Sequence, residues 1–267
     1  MLTAPAISGA AAWFGWDVPH DRRADHPAWL VLPLSALAWL FLVLQPESGA
    51  IALCHAPASS AVGSVTDRLQ AAWRTGALGL MLLGWMVMTV AMMLPRAGAM
   101  LRHVAGRSFA ARRRRAAAEF LAGYLAAWTL LGVLLVPLAA AAPGLLGGAC
   151  VPAAGFLLAA AWQCTAAKRL ALLRCHRTGP LSPWGWRADR DCLGFGLAHG
   201  KDCAASCWAM MLACMLASHA LLPMLCVQAI AASERRARVP ALHRSALALA
   251  GCGVLAAALA LGGLSPS

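Results

Sequence analysis

Between Glu119 and Lys168 no residue carries a charge. A run of that length fits a lipid bilayer, whose hydrocarbon core of about 30 Å takes roughly 20 apolar residues per helix. The turn-prone "APGLLGG" at 142–148 divides it into spans near 120–142 and 149–167, joined tightly. Composition agrees, because 61% of the residues are hydrophobic and 12% charged, outside the balance of a soluble domain. Further runs lie near 29–44, 76–95, 203–230 (extending to Ser233) and 245–264. Each is expected to be helical, since lipid offers backbone N–H and C=O groups no other partner. The expected fold is thus all-α: one integral membrane domain, 1–267, forming a polytopic transmembrane bundle of about six spans. The first basic residues, Arg22 and Arg23, come too late for a secretory signal, so the chain reads as mature from Met1.

The 22 Lys and Arg residues set the expected orientation. Seven arginines lie within 96–118, among them "ARRRRA" at 111–116, and seven more basic residues within 168–202. These loops are placed inside, with both termini, in a bacterial inner membrane. That leaves "SERRARVPALHR" (233–244) outside against its charge, unless the fifth run enters and returns or the last helix does not span. Loops and anionic headgroups account for the net charge of +12. No connection is long enough for a basic folded domain, so nucleic acid is not an expected partner.

Ten cysteines, with no C-x-x-C among them, argue against a zinc ribbon, a thioredoxin-type motif or c-type haem attachment. In "KDCAASCWAMMLACM" (201–215) a helix places Cys203, Cys207, Met210 and Cys214 on one stripe, with Met211 beside it. Thiolate and thioether ligands favour Cu(I) or another soft transition metal. Met81, Trp85, Met88 and Met92 share a face of the second run, with Met93 off it. Cys164, Lys168 and Cys175 would form a third stripe if the fourth run continues unbroken, with Lys168 at the inner interface and His176 beside Cys175. Packing competes with ligation at each stripe, because buried Cys and Met are also ordinary core residues. His219, near Pro223, is either functional or bonded to a carbonyl freed by the proline. His20 and His26, with three aspartates in "WDVPHDRRADHP" (16–27), read as solvated charge, as does the Cys54–His55 pair, which has no visible partner.

Three segments, "WMVMTVAMMLP" (85–95), "WQCTAAKRLALLRCH" (162–176) and "GLAHGKDCAASCWAMM" (196–211), resemble in order the signatures of a bacterial family of uncharacterised, metal-binding integral membrane proteins. The matching residues are Trp85, Met88, Met92, Met93 and Pro95, then Gln163, Thr165, Lys168 and Cys175, then Gly196, Gly200, Cys203, Cys207, Trp208, Ala209 and Met210. Ala171 and Ser206 stand where the family usually has cysteine. The resemblance implies a multi-helical inner-membrane protein with a metal site.

The expected site therefore comprises Cys203, Cys207, Met210 and Cys214, completed by Met88, Met92, Cys175 and His176. Its expected task is delivering, buffering or moving Cu(I), with a metal-donor or metal-acceptor protein and the lipid bilayer as partners. No phosphate-binding loop occurs and no carboxylate pair lies within a run, so catalysis is not expected. The alternative is a structural or assembly subunit of a membrane complex without a metal site of its own.

Overall fold

The computed structural model describes residues 31–44, 65–236 and 242–261, and the regular elements among them are all helical. In chain order they are α1 (Val31–Leu44), α2 (Val65–Arg74), α3 (Ala77–Met92), α4 (Gly98–Arg107), α5 (Arg113–Leu146), α6 (Val151–Gln163), α7 (Ala166–Arg174), α8 (Gly185–Leu216), α9 (Leu221–Arg236) and α10 (Leu242–Leu261). Single 3-10 turns at Leu94–Ala97, Ala110–Arg112 and Gly148–Cys150 join some of them. His20, His26, Cys54 and His55 lie outside the described residues.

Among the described residues, two helices are long and apolar enough to cross a membrane: Ala110–Leu146, which contains α5, and Leu242–Ala260 in α10. Two bent pairs raise the number to four if each is one span: α3 with Leu94–Arg107, bent by 47°, and Gly148–Gln163 with α7, bent by 74°. The about six spans expected from apolar runs are thus met only in part among the described residues, where several runs are broken. Two of the departures have clear local causes. Pro95 lacks the N–H that an α-helix interior requires, and α3 gives way there to a 3-10 turn. At the second bend Thr165 adopts an extended conformation and its hydroxyl accepts the backbone N–H of Lys168, capping a new helix.

The fifth run, 203–233, is also broken. Ser218 and His219 both take left-handed backbone conformations between α8 and α9. The His219 amide donates to the Cys214 carbonyl at 2.9 Å, closing the α8 terminus, so His219 belongs to a turn rather than a mid-span position. Ser206 on α8 and Glu234 on α9 meet the same lysine, so α9 runs back alongside α8. The run turns back on itself at Ser218–His219.

The centre of the bundle is the contact between α5 and α8, which run parallel. Gly196 lies against the Phe120 carbonyl, Gly200 against that of Tyr124, and Gly123 against that of Leu193. A Cβ on Gly200 would sit 2.7 Å from the Tyr124 oxygen, and one on Gly196 or Gly123 would overlap backbone. Only glycine lets these helices approach so closely, since a small residue at the seam lets the two backbones meet. Helix α3 runs antiparallel to α5, fixed by Trp85 Nε1 donating to the Trp128 carbonyl at 3.0 Å. Ser35 and Trp39 of α1 both donate to the Ala91 carbonyl, at 2.7 and 3.1 Å. At the basic end, Arg112 and Arg115 bridge to Asp189 and Glu119.

Two outcomes follow for the α5–α8 seam and its basic end. Gly196→Ala should cost about 3 kcal/mol or more, because rigid backbone must move. Gly194→Ala, where nothing lies within 4 Å, should be neutral or gain about 1 kcal/mol; thermal unfolding of purified protein checks both. Asp191 is held below the usual carboxylate range by the Ser182 hydroxyl first and the Ser182 amide second. A depressed folded pKa stabilises fully above the unfolded value near 3.9 and is lost as pH falls through the lower folded value. Hydrogen exchange at the Ser182 amide should thus accelerate only below about pH 4, and Asp191→Asn should abolish that step.

Candidate metal centre

The α5–α8 contact puts Tyr124 directly against Cys203. The Tyr124 hydroxyl lies 2.9 Å from the Met93 carbonyl, to which it donates, and 3.3 Å from Cys203 Sγ. Tyr124 is the single tyrosine in the chain, and it is fully buried. One turn along α8 from Cys203 stands the Cys207 thiol, buried on the same stripe. The Ser206 hydroxyl donates to the Cys203 carbonyl at 2.8 Å and lies 3.3 Å from Cys207 Sγ and 3.9 Å from Cys175 Sγ. Cys203 and Cys207 are buried and Cys175 is half-buried.

Behind the thiols lies a charged cluster that holds four helices. Lys168, 0% exposed, donates from Nζ to Glu234 Oε2 at 2.8 Å and to the Ser206 carbonyl at 2.7 Å. Glu234, 3% exposed, also accepts from Gln163 Nε2 at 2.8 Å, and the same amide lies 3.3 Å from Met210 Sδ. Arg96 and Arg235 complete the cluster, with Arg235 Nη1 donating to the Arg96 carbonyl. The bend at Thr165 is what swings Lys168 inward. Lys168 therefore does not mark an interface, and the expected Cys164–Lys168–Cys175 stripe does not form: Cys164 is exposed while Lys168 is wholly enclosed.

The expected site residues separate into three groups. Cys203, Cys207, Met210, Met88 and Met92 are buried in one continuous core, where Met93, expected off the stripe, is buried as well. Cys175 borders that core through Ser206, whereas His176 is exposed. Cys214 does not join Cys203 and Cys207. Seven residues on from Cys207, it is about 10 Å further along the axis, buried deeper in the same core. Among the described residues, no three His, Cys, Asp or Glu side chains are gathered closely enough to hold a metal ion. The facing pair is Cys203 with Cys207.

Sequence reasoning missed Tyr124, Arg96, Arg235 and Glu234. The last carried a usable signal: Lys168 and Glu234 each end a charge-free run, and opposite charges at two such ends can pair.

Comparison with known families bears on this arrangement. Residues 82–261 match the PpoB2 family, described as copper chaperone. The chain belongs to that family. The match takes in Tyr124, Lys168, Cys203, Cys207 and Glu234, so the cluster lies inside the shared region of this copper chaperone family. No curated protein and no solved structure matches the chain.

The buried ion pair yields a stability test. Glu234→Leu strands the Lys168 ammonium and should cost about 3–5 kcal/mol, whereas the double variant Lys168→Met, Glu234→Leu should recover most of that loss. Thermal unfolding of the three proteins measures the difference.

Proposed function

We propose that this protein is an integral membrane copper chaperone that holds Cu(I) between the Cys203 and Cys207 thiolates and hands it on. The observation that carries the reading is the buried pair of free thiols one helical turn apart on α8, inside the region shared with a copper chaperone family. Two sulfurs suit Cu(I), which accepts a linear pair of soft ligands. A structural zinc site asks for four. Met210 adds a weak thioether beside the pair, and Cys175 stands as a further thiol through which the ion exchanges. The protein carries out no reaction of its own: it binds, shields and releases, with a metal-donor or metal-acceptor protein as partner.

Membrane residence is supported by what the helices present outward. Leu130, Val133, Leu134 and Leu138 of α5, Leu157 and Leu158 of α6, and Leu247, Val254 and Leu255 of α10 are all exposed. Such apolar faces are a liability in water and a natural surface in lipid. The bundle sits in the bacterial inner membrane with 96–118 and 168–202 on the cytoplasmic side. The α8–α9 hairpin returns Glu234 to the level of Lys168, which puts Arg235 beside it on that side and eases the charge conflict.

The test is anaerobic chelator competition for Cu(I) on the purified full chain. Wild type should bind one Cu(I), the Cys203→Ser, Cys207→Ser variant should lose about a hundredfold or more in affinity, and Cys214→Ser should bind as wild type. Equal binding by wild type and the double variant would instead favour an assembly subunit whose thiols only pack.

A further inference from the structure

Charge around the thiol pair does not balance. Lys168 and Glu234 neutralise each other at 2.8 Å, and the remaining oxygen of Glu234 is taken by Gln163. Arg96 and Arg235 are left over. Arg96 is 7% exposed, and its Nε and Nη1 have no hydrogen-bond partner among the described residues. Its backbone amide donates at 3.1 Å to the Met93 carbonyl, the same oxygen that accepts the Tyr124 hydroxyl, which itself lies 3.3 Å from Cys203 Sγ; Cys207, Cys203, Tyr124 and Glu234 are the acidic groups around its guanidinium. Arg235, whose Nη1 donates to the Arg96 carbonyl, adds a second cation at the same place.

An enclosed guanidinium that makes no ion pair among the described residues is costly, and low local dielectric makes its effect on neighbouring charge strong. What stands beside it here is the metal-binding pair. Two thiolates holding Cu(I) make a complex of net charge −1, whereas the same two thiolates holding Zn(II) are neutral. We infer that Arg96, assisted by Arg235, selects the charge of the bound metal, favouring monovalent copper over divalent ions at the Cys203–Cys207 pair. The inference rests on the thiol-pair reading above. Its sign holds whatever the protonation of the metal-free thiols, because both metals start from the same empty site and differ by one unit of charge in the product.

The experiment measures Cu(I) and Zn(II) affinities of the full chain in detergent, by anaerobic chelator competition, for wild type, Arg96→Lys and Arg96→Gln. The ratio of the two affinities should fall by about tenfold or more in Arg96→Gln, about 1.4 kcal/mol or more of lost discrimination. Arg96→Lys, which keeps the charge, should retain it within about threefold. An unchanged ratio in Arg96→Gln, with Cu(I) still bound by wild type, overturns the inference and leaves the thiol-pair reading intact. Wild type that binds no Cu(I) overturns both. Thermal unfolding of the metal-free proteins reports whether each variant folds. Should Arg96→Gln fail to fold, Arg235→Gln carries the same expectation of a lowered ratio, and an unchanged ratio there is equally fatal.

Discussion

The ion pair between Lys168 and Glu234 is the constraint on which the rest of the molecule turns. Two charges removed from water gain little unless each is fully engaged, and here each is. Lys168 reaches both Glu234 and the Ser206 carbonyl, while Glu234 also accepts from Gln163. These contacts tie α6, α7, α8 and α9 at one point. They require the bend at Thr165, which turns Lys168 inward, and the reversal at Ser218–His219, which brings Glu234 back. A straight helix through either place would leave both charges among apolar side chains.

The thiol pair depends on that point and on the α5–α8 seam. Ser206, whose carbonyl receives Lys168, uses its hydroxyl to fix the Cys203 backbone and to meet Cys207 and Cys175. Gly196 and Gly200 allow α5 close enough for Tyr124 to reach Cys203. One side of the pair is therefore set by backbone contact and the other by a buried charge. Soft ligands held by neighbours that do not themselves ligate are poised without being rigidly caged, which suits a carrier that must release its ion.

Much of this was legible in the sequence, and the reasons differ by feature. Helical content follows from apolar runs alone, and the period of 3.6 residues put Cys203, Cys207 and Met210 on one buried stripe. The extent of that stripe was misjudged. Cys214 shares its azimuth but lies two turns away, and periodicity carries no information on axial distance. Breaks at Thr165 and Ser218 were hidden because a capping threonine and left-handed non-glycine residues leave no composition shift in an apolar run. Arg96, Tyr124, Arg235 and Glu234 sit far from the thiols in sequence and reach them only through tertiary contact.

The central claim is that copper is held by two sulfurs from Cys203 and Cys207. X-ray absorption at the copper edge of the Cu(I)-loaded full chain tests it most directly. The account predicts an edge of two-coordinate Cu(I) with a first shell of sulfur only, lost in the Cys203→Ser, Cys207→Ser variant. A first shell of nitrogen or oxygen, or a sulfur shell that persists in that variant, would contradict it.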